Sequence, residues 1–128
     1  MLKSGDFPIN EIAENSDTAV NVENEIWIKC RICSADLTRH SSLVAINGES
    51  SHFFTNPSGL GFSILTFSDA PGAVLTSVPT AEFSWFTGFT WQLCNCAECR
   101  AHIGWYFSPS GSVEQGEFYG FIQDRLRL

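Results

Sequence analysis

Two C-x-x-C pairs, Cys30/Cys33 in "CRIC" and Cys96/Cys99 in "CAEC", constrain this chain more than any other feature. Each pair makes a tight knuckle whose sulfurs converge, so two knuckles from distant segments supply the four thiolates of a tetrahedral zinc site. A redox pair or free core thiols would account for a single C-x-x-C, but the doubled motif is specific to a metal. Four thiolates leave no open coordination position, so the Zn2+ expected here is structural and neither a Lewis acid nor a source of hydroxide. It should pin an early strand to a late one. Lys29, Arg31 and Arg100 stand beside three of the cysteines and are expected to offset part of the excess negative charge.

Cysteine usage also bears on compartment. The stretch "MLKSGDFPINEIAENSDTAVNVENE" has no apolar core followed by a small-residue cleavage site. Without a secretion signal, and with an odd number of cysteines, a disulfide framework is not expected, and a cytoplasmic location is. The odd residue, Cys94, reads as an ordinary buried thiol, because no histidine lies close in sequence to activate it. The formal charge is -7, and no Lys/Arg cluster could track a phosphate backbone, so nucleic acid is not an expected partner. No apolar run reaches membrane-spanning length, so no membrane is expected either.

Residues 1–25 carry six Asp or Glu and four Asn among few large apolar groups, which predicts a flexible acidic lead-in. Residues 26–128 then form a single domain. Short apolar stretches follow one another: "EIWIKC", "SLVAI", "HFFT", "GFSILTF", "AVLTSV", "FTWQLC", "HIGWYFS" and "EFYGFI". Turn chemistry such as "INGESS", "NPSGLG" and "DAPGA" separates them, which predicts an all-β domain of antiparallel strands. The last stretch, "EFYGFIQDRLRL", also fits helical spacing and is open between a strand and a short terminal helix.

Three of the four tryptophans crowd around the second knuckle. Trp105 and Phe107 are two apart and share a strand face, as do Phe89, Trp91 and Leu93. Gly88 lets the chain turn between Trp85 and Trp91. Such indoles are as often core as pocket, but indole resists complete burial and its N–H needs a partner. A box of three indoles suits a cation or a compact neutral ring. Trp27 reads as a core residue, and His40, His52 and His102 carry no expected catalytic role, His102 reading as a hydrogen-bonded core histidine.

The stretch "EFSWFTGFTWQLCNCAECRAHIGWYFS", with "TNPSGLGF", "CRIC" and "FYGFI", closely resembles the thalidomide-binding (CULT) domain of the cereblon family from about Trp27 onward. The resemblance implies a stand-alone bacterial homologue. It also implies a β-tent, two antiparallel sheets meeting at a large angle and pinned by the four-cysteine zinc site. Its implied function is non-catalytic binding of cyclic imides: the glutarimide of thalidomide-type ligands, uracil-like rings and cyclised protein carboxyl termini. By the same resemblance Trp85, Trp91 and Trp105 are cage walls, Phe107 completes the cage, and Asn56 and Pro57 line it. The backbone of Phe83 would bond the imide, and the Trp85 indole N–H would donate to its second carbonyl. Vertebrate relatives have His where Phe83 stands, and position 107 holds Tyr or Phe among relatives of the family. Two other readings compete, a methionine sulfoxide reductase of the B type using Cys94 and an aromatic-cage reader of methylated amines with Glu82 beside the cage.

Overall fold

A computed structural model describes residues 26–111 and 113–128, and the expected acidic lead-in lies outside them. In chain order the strands are β1 (Trp27–Cys30), β2 (Asp36–Arg39), β3 (Ser51–Thr55), β4 (Gly61–Phe67) and β5 (Ala73–Leu75). They continue with β6 (Phe89–Cys96), β7 (His102–Pro109), β8 (Phe118–Ile122) and β9 (Leu126–Arg127). One sheet has the order β9-β1-β2 and the other β3-β4-β8-β7-β6-β5, with every pairing antiparallel. The expected all-β class of two antiparallel sheets is therefore what forms. No helix among the described residues is long and apolar enough to cross a membrane.

The large sheet buries both of its faces. On β8, Phe118 and Ile122 point one way and Phe121 the other, following the two-residue period of a strand. One face packs Phe67, Cys94, Cys96, Ile103 and Phe121 with Ile28, Leu37 and Leu126 of the small sheet. The opposite face gathers Ile64, Phe89, Trp105, Phe107, Phe118 and Ile122 under Ile46 and Phe86 from connecting loops.

Two segments differ from the sequence expectation, and a third that it left open is resolved. Strand β2 was not expected, because "DLTR" offers only one apolar residue. It forms because Leu37 is buried and Thr38, equally buried, satisfies its hydroxyl on the Asp69 carbonyl at 2.6 Å. "SLVAI" is not a continuous strand and makes only isolated bridges, Leu43 to Phe67 and Ile46 to Glu49. The carboxyl end resolves into strand β8, a 3-10 turn over Gln123–Arg125, and β9, which pairs with β1.

Candidate functional site

The two knuckles are built alike. Ser34 and Arg100, each just after the second cysteine of its pair, take left-handed φ values of 66° and 67°. Their N–H groups donate to the Cys30 and Cys96 carbonyls at 2.8 and 2.9 Å, and the Cys30 and Cys96 N–H groups donate to Ala35 and Ala101 at 2.8 Å. Left-handed backbone costs about 1–2 kcal/mol at a residue with a β-carbon, so its occurrence at both knuckles marks a constraint that the surroundings enforce. The four Sγ atoms lie within 4.8 Å of one another, with Cys30–Cys99 at 3.7 Å and Cys33–Cys96 at 3.6 Å. Zinc held tetrahedrally by thiolates at about 2.3 Å spaces its sulfurs by about 3.8 Å, so the cluster has the dimensions to hold a metal ion. Two of the three flanking cations are otherwise engaged: Lys29 forms an ion pair with Asp36, and Arg31 donates to the Leu126 carbonyl.

A pocket of about 490 Å3 opens on the side of the large sheet opposite Cys94 and Ile103. All seven expected ligand-binding residues line it: Asn56, Pro57, Phe83, Trp85, Trp91, Trp105 and Phe107. Register brings four of the lining residues together, since Trp91 sits opposite Phe107 and Leu93 opposite Trp105 on β6 and β7. Trp85 meets Trp105 edge to face at 4.8 Å and is backed by Phe54, stacked on it at 5.0 Å. Phe86 anchors the loop that carries Phe83 and Trp85 through edge contacts with Phe107 and Phe118. Phe107, only 1% exposed, forms the floor more than a wall.

Backbone geometry at the mouth is unusual. Phe83 has φ 58° with the residue 72% exposed, so the left-handed conformation is held with little burial of its own. The Trp91 indole N–H donates to the Glu82 carbonyl at 2.7 Å, and Thr80 exchanges backbone bonds with Trp91, fixing the segment that leads into Phe83. Among the described residues neither the N–H nor the C=O of Phe83 has a hydrogen-bond partner. The Trp85 indole N–H is turned toward the Thr55 carbonyl at 3.3 Å, beyond the usual 2.7–3.2 Å range and therefore weak. Asn56 closes its own turn, its side-chain oxygen accepting from Leu60 N–H at 2.9 Å.

Three lining residues, Phe62, Leu93 and His102, were not expected there. Leu93 follows from its shared face with Trp91, whereas Phe62 enters from β4, and no local signal marks it. His102 arrives through a β-bulge. Cys94 pairs with Gly104 but Asn95 pairs with His102, which leaves Ile103 as the extra residue. Ile103 joins the core on the metal side, and His102 swings to the pocket face, edge to face with Trp105 at 5.1 Å. Its Nε2 lies 2.9 Å from the Gly104 carbonyl. A carbonyl only accepts, so this nitrogen carries the proton. Burial holds the His102 pKa below its ordinary value, opposed by the Gly104 hydrogen bond and reinforced by nearby Arg125.

Cys94 faces away from the pocket, and burial pushes its thiol up to about 12, which keeps it from acting as a thiolate nucleophile. Glu82 contributes a carbonyl to Trp91 but is not part of the lining, which contains no carboxylate. Trp27, expected in the core, is half-buried, with the Arg39 guanidinium 4.5 Å above its ring.

Two antiparallel sheets joined at a four-cysteine cluster, with an aromatic pocket on the other face of the larger sheet, define a small all-β architecture. The chain carries a cereblon-like CULT domain. It is 36% identical over 111 residues to protein cereblon of Danio rerio, covering 86% of this chain and 22% of that protein. Protein cereblon of Drosophila melanogaster is 31% identical over 112 residues, 83% of this chain and 19% of that protein. That of Xenopus tropicalis is 32% identical over 75 residues, 58% and 17% respectively. The chain thus spans about a fifth of the length of the curated relatives it matches. No family model matches the chain. Among solved structures, the Mis18 "Yippee-like" domain superposes with a TM-score of 0.55 at 16% identity, covering 81% of this chain and 94% of that one, a likeness of fold alone.

Proposed function

We propose that residues 26–128 form one CULT-type unit, a non-catalytic module that binds cyclic imides between Trp85, Trp91 and Trp105 above the Phe107 floor. What supports this reading is that three indoles line one pocket together with Phe83, whose backbone N–H and C=O have no hydrogen-bond partner among the described residues. An imide ring offers one N–H and two carbonyls, which lose water's hydrogen bonds on entry and need replacements inside. Phe83 supplies a donor and an acceptor. The Trp85 N–H serves the second carbonyl by exchanging its long bond to Thr55. Asn56 and Pro57 close the side of the pocket, and the indole faces pack the ring methylenes.

A glutarimide has about eight non-hydrogen atoms, and at roughly 0.8–1 kcal/mol each the gain is about 6–8 kcal/mol, which corresponds to micromolar binding. Titration with glutarimide, followed by tryptophan fluorescence and amide NMR shifts, should show saturable binding in that range. Trp85→Ala should weaken it by at least tenfold while the bound metal is retained. Unchanged fluorescence and unmoved NMR signals would sink the proposal.

In the same reading Cys30, Cys33, Cys96 and Cys99 hold a structural Zn2+. The four reduced thiols that this requires accord with a cytoplasmic location. The lining without a carboxylate argues against a reader of methylated amines, and the buried, oppositely directed Cys94 argues against a sulfoxide reductase.

A further inference from the structure

The pocket holds one ionisable side chain, His102, that the imide reading above leaves without a task. Its placement is specific: without the Ile103 bulge, strand alternation would send the imidazole to the metal-side core. Its tautomer is fixed as well. The Gly104 carbonyl takes the Nε2 proton at 2.9 Å, which leaves Nδ1 as a bare acceptor in the neutral ring. Among the described residues Nδ1 makes no hydrogen bond, and it is not sealed from solvent. The other lining residues are aromatic and aliphatic apart from Asn56, whose side-chain oxygen already accepts from Leu60 N–H.

We propose that His102 is a specificity-determining residue whose Nδ1 accepts from a second ring N–H, so that the pocket favours cyclic ureides over simple imides. The inference rests on the imide-binding reading. A pocket with a preset acceptor rejects an isostere that lacks the donor, because the acceptor gives up water and gains nothing in return. Glutarimide and 5,6-dihydrouracil form such a pair, differing by one ring CH2 replaced by N–H. One neutral hydrogen bond of this kind corresponds to about a tenfold difference in affinity.

The test is a pair of titrations, glutarimide and dihydrouracil, on the metal-loaded wild-type chain and on His102→Phe, whose ring can still pack against Trp105. Wild type should bind dihydrouracil about tenfold more tightly, and the ratio should fall to near one in the variant. The ratio cancels any general loosening of the pocket. A second readout needs no variant: the 15N resonance of His102 Nδ1 in wild type should move with dihydrouracil and stay in place with glutarimide. Equal affinity of wild type for both rings, a ratio unchanged in His102→Phe, or an Nδ1 signal indifferent to dihydrouracil would overturn the assignment to His102. Failure of both rings to bind wild type would instead overturn the imide reading itself.

Discussion

Phe83 shows how much a single residue can be constrained by its setting. An aromatic residue at φ 58° carries the left-handed penalty of about 1–2 kcal/mol, and with 72% of it exposed little packing offsets the cost. The conformation is imposed from outside, by Trp91 through the Glu82 carbonyl and by Phe86 through the second core. Phe83→Gly should therefore stabilise the domain by up to about 1 kcal/mol, measured by urea unfolding, because glycine takes this conformation freely. A loss of stability would mean that the ring packs more than its exposure indicates. Nothing local in "AEFSW" announces a left-handed aromatic. The family resemblance singled out the backbone of Phe83, and the structure supplies a reason why that backbone would be presented.

At the scale of elements, strand β7 does most to shape the site. Its pairing with β6 sets Trp105 and Phe107 opposite Leu93 and Trp91, and its bulge turns His102 toward them. The same strand approaches β8 so closely at Gly104 that a β-carbon there would stand 2.1 Å from the Gly120 carbonyl oxygen. Backbone cannot yield as a flexible side chain does. Gly104→Ala should cost about 3 kcal/mol or more in chemical denaturation, whereas Gly111→Ala, with nothing within 4 Å, should cost little. The strands around the site were readable because apolar and aromatic residues alternate along them. The bulge was not, because an extra residue is visible only against the partner strand that it fails to match.

In the whole molecule, the cysteine knuckles and the pocket lie on opposite sides of one sheet, and β6 and β7 contribute to both. The small sheet contributes three short strands, too little to hold its position without the core shared through Cys30, Leu37 and Leu126 and the clamp to Cys96 and Cys99. A structural zinc site contributes an apparent ~10–16 kcal/mol at neutral pH, comparable to or larger than the ~5–15 kcal/mol stability of an ordinary domain. Removing the metal with a chelator should therefore unfold the chain: near-UV circular dichroism should collapse, imide binding should disappear, and one equivalent of zinc should be released. Cys96→Ser should reproduce that state. A metal-free protein with native near-UV dichroism would show that packing alone holds the two sheets.

The sequence of this chain by itself determined which residues stand at its two poles, the paired cysteines and the indoles, and the class of its fold. Paired cysteines at fixed spacing can converge only in knuckles, and alternating aromatic runs broken by turn residues can bury their rings only as strands, so both are properties of neighbouring residues. Tertiary structure alone decided that Phe107 is a floor, that Phe62 and His102 join the walls, that Cys94 and Glu82 turn away, and that β2 exists at all. Each of these depends on which distant backbone lies alongside, through a bulge against β6, a threonine satisfied by the Asp69 carbonyl, or a loop locked by an indole. Contacts of that kind join segments that meet only in the fold, 9 residues apart for Glu82 and Trp91 and 31 for Thr38 and Asp69, and a local pattern carries no record of them.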